Sequence, residues 1–310
     1  MGQESNAAAR RAPVALLAIL VAAAVVAALV SYDFSGGGSG PSREGSGSSA
    51  SDASQHTAAT VRPAHTRKRG FPGKRNTGVP AGTRLRPSGS LVVRQDGAVI
   101  KKLDVTGSIR IEANEVTIKR VRVRRPGGQA ITVSPDTRGA VIKDVELDGR
   151  GNTDGSSAIG DSNYKLIRVH IHHFGEGPRA NGNVVIRDSY MHSFLDFIDQ
   201  GAHQDVIQST GGNRLVVRHN KLIMNVDGGN AVLMLGTSYG SNVLFEHNLV
   251  AGGGYAMYGG GSHNWSNVRF LGNRCSKRIY AKCGYHGPFL YAENAERTGN
   301  VWHESGRRLR

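Results

Sequence analysis

Beyond residue 90, apolar and polar positions alternate in short runs separated by Gly, Asn, Asp and Ser, with no three-four periodicity. Alternation marks a strand with one buried face. One motif recurs: VTIKRVRV from Val116, AVIKDVEL from Ala140, KLIRVHIH from Lys165, VVIRDSYM from Val184, LVVRHNKL from Leu215, VLFEHNLV from Val243 and VRFLGNRC from Val268. The third residues, Ile118, Ile142, Ile167, Ile186, Val217, Phe245 and Phe270, follow one another at 24, 25, 19, 31, 28 and 25 positions. Units of about 25 residues cannot bury an apolar face alone and must stack on their neighbours. The pattern predicts an all-β, single-stranded right-handed parallel β-helix with two or three short strands per coil. Irregular unit lengths count against a propeller, and a stacked register counts against a sandwich. Three residues beyond the last three anchors stand Asn220, Asn248 and Asn273. At equivalent positions they would pass hydrogen bonds from coil to coil, where a turn leaves backbone groups in need of partners. Residues 71–115 are expected to form the opening coils, and NVWHESGRRL to close the far end.

The first 70 residues follow other rules. Arg10 and Arg11 precede an apolar run from Ala12 to about Val30. Nineteen residues at about 1.5 Å each span about 28 Å, enough to cross a bilayer. The expected division is a cytoplasmic stretch at 1–11, a transmembrane signal-anchor helix at 12–31, a Gly/Ser-rich disordered tether at 32–70 and the β-helix domain at 71–310. Arginines before the run leave the N-terminus in the cytoplasm and export the rest. The alternative is a cleaved signal, which makes the domain a secreted one. The tether holds too few apolar residues to offset its ordering entropy.

Composition narrows the function. Among 310 residues, 42 are Gly, with no collagen period, and this argues against a helical bundle. The net charge is +15, and residues beyond 90 carry 28 basic against 20 acidic side chains. A basic exported domain suits a polyanion. No nucleic-acid-binding motif is present, so nucleic acid is set aside and an acidic polysaccharide or cell-wall polymer is the expected partner of a monomer. Two cysteines, Cys275 and Cys283, stand eight apart in an exported domain and are read as a local disulfide.

FPGKRNTGVPAGTRLRP followed by IRIEANEVTIKRVRV resembles the start of secreted actinobacterial right-handed β-helix repeat proteins. HQDVIQSTGGNRLVVRHNKL, KCGYHGP and TGNVW are similar to that group as well, so the resemblance spans about residues 71–305. It implies the pectate-lyase-like fold. It implies no single reaction, because β-helices carry lyases, hydrolases, esterases and adhesins.

The densest polar cluster, HSFLDFIDQGAHQDVIQ, occupies the longest spacing and so carries an extra loop. Two apart, His203 and Asp205 would share one face of a strand. A His beside a carboxylate can act as a general base. For β-elimination on a uronate polymer, His203 and Asp205, with His192, are the expected catalytic residues. A cation must neutralise the uronate carboxylate. Either Ca²⁺ held by Asp196 and Asp199, with Asp205 as a further ligand, or Arg187 and Arg218 directly would supply it. Gln208 joins the arginines as a substrate contact, with Tyr258 and Tyr239 as sugar-stacking aromatics. A polygalacturonase-like hydrolase is the less favoured enzyme, because the next coil, GGNAVLMLG, lacks the second carboxylate. A non-enzymatic carbohydrate-binding module is the rival from outside catalysis. His170, His172 and His173 invite a metal reading, but His173 would face away from the other two, and a metal would need another chain segment. They are read as ordinary surface histidines.

Overall fold

The computed structural model describes residues 70–236, 238–260 and 264–309. The predicted anchor and most of the tether lie outside the described residues. No helix among the described residues is long and apolar enough to cross a membrane.

The described chain is all-β apart from one 3₁₀ turn, Ile198–Gln200, and its strands pair in parallel. A ten-stranded sheet runs from Arg86–Ser88 to Val301–Trp302. A nine-stranded sheet runs from Val99–Lys101 to Glu296–Thr298. A third face is divided into a five-stranded sheet ending at Glu176–Pro178 and a four-stranded sheet starting at Asp205–Ser209. The chain visits the three faces in turn. Asp205–Ser209 leads to Gly212–Arg218, then to Lys221–Met224, and Ala231–Leu235 pairs with the strand where that circuit began. This arrangement is consistent with a parallel β-helix of three short strands per coil.

The interior is a continuous column of aliphatic and aromatic side chains. Ile118, Ile142, Leu166, Ile186, Val217, Phe245 and Phe270 stack in register, all inaccessible to solvent. Ile142 pairs with Leu166, so the unit written from Lys165 is one residue out of frame and properly begins at Tyr164. Apolar character cannot tell Leu166 from Ile167; the hydrogen-bonded register can.

Between the nine- and ten-stranded sheets each coil bends sharply through one left-handed residue: Asp144, Arg168, Asp188, His219, His247, Gly272 and Gly299 all have φ between 52° and 70°. The next residue points inward. In the first coils it is apolar, as at Val121, Val145 and Val169. From Ser189 onward it is polar and buried. Ser189 Oγ accepts from the Val169 amide, and the Ser189 amide donates to Asn220 Oδ1 at 2.8 Å. Asn220, Asn248, Asn273 and Asn300 then repeat one pattern. Each of the first three donates both its backbone amide and its Nδ2 to the Oδ1 of the next. Each Nδ2 also donates to a carbonyl of the preceding coil: Ile186, Val217, Phe245 and Phe270. The expected asparagine stack is therefore present, and Asn300 and Ser189 extend it.

The ends are closed in different ways. The tail caps as expected: Val301–Trp302 pairs with Arg274–Cys275, and Leu309 donates back to the Asn300 carbonyl. Residues 71–84 do not form an opening coil. They run as an arm beside the bend, with Phe71 stacked on His219 at 5.8 Å and the Gly78 amide bonded to the Arg168 carbonyl at 2.9 Å. The first strand begins at Arg86. Cys275 and Cys283 form a disulfide, and both are buried.

Asn248→Ala removes the acceptor of the Asn220 amide and the donor to the Val217 carbonyl inside a dry core. It should lower stability by about 3 kcal/mol in urea unfolding, since each orphaned buried group costs about 1–3 kcal/mol. Cys275→Ser with Cys283→Ser opens a short loop and should cost about 2–3 kcal/mol by chain entropy.

Candidate functional site

The third face changes character where its two sheets meet. A single parallel bridge, Arg179 to Gln208, joins Glu176–Pro178 to Asp205–Ser209. Three residues upstream of that bridge on each strand stand Glu176 and Asp205, so two carboxyls lie on neighbouring coils. The loop before Asp205 is held in place by Gln204, which is inaccessible to solvent. Its Nε2 donates to the carbonyls of Gly175 and Leu195, both at 2.6 Å, and its Oε1 accepts from the Phe197 amide.

Asp205 is 1% exposed and Glu176 8%. Asp205 accepts from Asn230 Nδ2 at 2.9 Å and from Gln208 Nε2 at 3.3 Å. Glu176 Oε2 is buried with no hydrogen-bond partner, and the Arg179 guanidinium stands 3.6 Å away, too long for a hydrogen bond. Burial pushes the Asp205 carboxyl well above the usual carboxylate range, and the charge of Glu176 pushes it further. Burial also raises Glu176, against the pull of Arg179. Two carboxyls in so dry a place cannot both ionise readily. Arg179 is half-exposed, and its carbonyl accepts from the buried Tyr164 phenol. Two coils beyond Asp205, Tyr255 occupies its column and Tyr258 that of Gln208. Beside them a cavity of about 420 Å³ is lined by Asp227, Tyr280, Tyr285 and His286. Tyr280 donates to Asp227 at 2.7 Å, and His286 packs 5.3 Å from Tyr255.

The expected residues scatter over three faces. Asp205, Gln208 and Tyr258 share the third face. His203 does not join Asp205: it is exposed, and no hydrogen bond or ion pair links the two. The strand starts at Asp205, so the alternation that would align both side chains does not reach back to residue 203. Arg187 and Arg218 pair with each other in register on the nine-stranded sheet, where Arg218 binds Glu246 at 3.1 Å and Arg187 approaches Asp188. Asp196 accepts from the Ile198 amide just before the 3₁₀ turn, and Asp199 sits within that turn. Neither belongs to a described cluster of metal-ligating side chains. Tyr239 is 82% exposed and lines a separate pocket with Trp265. The second carboxyl, absent from the following coil GGNAVLMLG, is supplied by Glu176 on the preceding one, and no motif in its own segment marks it.

His192 belongs to a second cluster, on the ten-stranded sheet. Glu146, His170 and Tyr190 form one column there, and Asp148, His172 and His192 another. His172 pairs with His192, as the corrected frame requires. His173 is left-handed, φ 62°, so it swings back to its neighbour instead of facing away. Its Nδ1 lies 2.8 Å from both His172 Nδ1 and Asp148 Oδ1. Burial, with His172 nearby, lowers His170 to about 4; burial, with His170 and His172, lowers His192 to about 3. A hydrogen bond from His172 holds Glu146 below the usual range.

No protein-family model, curated protein or solved structure matches this chain.

The raised Asp205 carboxyl links stability to pH. A group that holds its proton more tightly when folded contributes stability below its unfolded value near 3.8, and that contribution is lost as pH rises through the higher folded value. Asp205→Asn should therefore show a smaller fall in unfolding free energy than the parent as pH rises from about 4 towards neutrality, measured by urea titration at each pH.

Proposed function

We propose that the chain is a right-handed, pectate-lyase-like β-helix, held outside the cell by its N-terminal segment, that binds acidic polysaccharide on its third face and cleaves it by β-elimination. One observation carries this reading: a buried, pKa-raised carboxyl pair stands beside a half-exposed arginine. Burying Glu176 Oε2 without a hydrogen bond lowers stability and helps no packing visible around it. Such groups concentrate where chemistry needs them.

Each residue has a separate task. Arg179 pairs with the uronate carboxylate and so acidifies the adjacent C–H. Glu176, the more exposed of the two carboxyls, is the base. It takes that proton, the released electron pair forms the C4–C5 double bond, and the C4–O bond breaks. Water protonates the departing oxygen. Asp205, almost fully enclosed, is a positioning residue. It fixes Gln208 and Asn230 beside the base, whose own burial raises its proton affinity above that of an ordinary carboxylate. Tyr255, Tyr258 and the Tyr285–His286 corner offer faces for sugar rings farther along the same polymer. The basic charge of the domain favours a polyanion. Hydrolysis, which needs two carboxyls in contact with substrate, is less well served while Asp205 is 1% exposed.

The test is the full chain against a panel of uronate polymers, read by ultraviolet absorbance of the unsaturated product. Glu176→Gln should lower kcat by about 100-fold or more. Arg179→Ala should raise KM as well as lower kcat, while Arg218→Ala should leave both unchanged. Binding without product across the panel would remove the lyase and leave a tethered binding module. Absence of both product and binding would overturn the whole reading.

A further inference from the structure

The histidine–carboxylate cluster of the ten-stranded sheet plays no part in the proposed lyase site. It lies on another face, among other residues, and so calls for its own account. We propose that Glu146, His170, His172 and His192 hold one divalent first-row transition ion, with Zn²⁺ the best match.

Donor positions carry the argument. Four donors bound to one Zn²⁺ at about 2.0–2.1 Å in a tetrahedron stand about 3.3 Å from one another. His172 Nε2 lies 3.2 Å from Glu146 Oε1, and His170 Nε2 lies 2.8 Å from His192 Nε2. Ligand atoms of Glu146, His170 and His172 all fall within 4.8 Å of one another. Small side-chain rotations therefore bring the donors of Glu146, His170 and His172 to one centre, and His192, in contact with His170 Nε2, reaches it by a larger turn of its ring. Imidazole and carboxylate suit zinc and its neighbours, whereas Ca²⁺ prefers an all-oxygen shell.

The opposite ring nitrogens of His172 and His192 are occupied, as they are in a built metal site. His172 Nδ1 faces Asp148 Oδ1 at 3.4 Å, and His192 Nδ1 faces Ser193 Oγ at 2.6 Å. Such outer partners fix the tautomer that leaves Nε2 free to ligate. Register makes the placement rigid, because the four ligands come from three adjacent strands of one ladder: Glu146–Asp148, His170–His172 and Tyr190–His192. All three ligand histidines are less than a tenth exposed.

There is also room and access. A cavity of about 310 Å³ opens on the cluster between the ladder and the N-terminal arm, whose Lys74, Thr77 and Gly78 line it. Gly78, at φ 74°, packs against His170; a Cβ there would lie 3.1 Å from His170 Cβ. Lys74 and Arg150 bring positive charge to the lining, and Glu146 and Asp148 answer it. The remaining open side would hold water or an anionic ligand on the metal.

The full chain, stripped with a chelator and dialysed, should be titrated calorimetrically with Zn²⁺ and spectroscopically with Co²⁺. One ion per chain is expected, with Co²⁺ giving the visible bands of a four- or five-coordinate nitrogen–oxygen site. His170→Ala and His172→Ala should each abolish that spectrum. Asp148→Asn should weaken binding by about 10–100-fold, as loss of an outer-shell partner does. His303→Ala, outside the cluster, should change nothing. Should an alanine variant fail to fold by circular dichroism, His172→Gln replaces it. Absence of saturable binding, or binding unaltered in folded His170 and His172 variants, would overturn the proposal. The lyase assay and this titration use disjoint residues, so either proposal can fail alone.

Discussion

The bend between the nine- and ten-stranded sheets is the constraint on which the rest of this structure depends. A chain that turns sharply into a new sheet once per coil leaves backbone amides and carbonyls pointing inward, away from water. An orphaned buried group costs about 1–3 kcal/mol. The file from Ser189 to Asn300 resolves this with a side chain that both accepts and donates, repeated once per coil. Because each asparagine binds the next one directly, the file also sets the vertical register. Coils of unequal length, with loops as different as the one before Asp205 and the tight turn after Leu271, are brought to the same phase at every bend.

A fixed register turns sequence positions into columns. Residues 17 to 32 apart become direct neighbours, and their side chains lie closer than any two residues on one strand face. Charged side chains placed in such columns interact strongly. Arg122 with Asp104, and Arg168 with Asp144, are paired this way, on surfaces where solvent takes much of the effect. The same geometry on buried positions gives the two unusual clusters. Glu176 and Asp205 meet where an arginine can reach only one of them. Glu146, His170, His172 and His192 meet beside an arm that walls one side of their cavity. Both clusters therefore have one physical origin, like or complementary polar residues stacked at a fixed strand spacing in a dry place.

The arm changes what the ten-stranded sheet can be. Without it, that face would present a row of histidines and carboxylates to solvent. With Phe71 against His219 and Gly78 against His170, the arm forms one wall of a cleft. The arm also reaches the far end, where Phe71 meets His303 edge-on at 6.0 Å. The tail doubles back through Arg308 and Leu309 and is fastened to the last asparagine, covering apolar surface that a stacked coil would otherwise need.

Strand alternation, the length of the repeat and the inward asparagines are local or strictly periodic properties, and they were legible without any structure. So was the disulfide, because two cysteines eight apart in one loop have few other options. The sites were less legible. Asp205 and Gln208 were found as a motif, but the partner of Asp205 is Glu176, 29 positions earlier, and no pattern in either segment announces the pairing. The one-residue slip at Lys165 hid the match of His172 with His192, because Leu166 and Ile167 are equally apolar and only the hydrogen-bond ladder distinguishes them. His203 and His173 failed the alternation rule for the same reason: each lies just outside a strand, where the backbone no longer alternates. The sequence by itself determined the repeat, the class of fold and the chemistry available. The tertiary structure alone decided which residues meet, because contact between coils depends on the lengths of the loops that separate them and on a register held by hydrogen bonds across more than twenty residues.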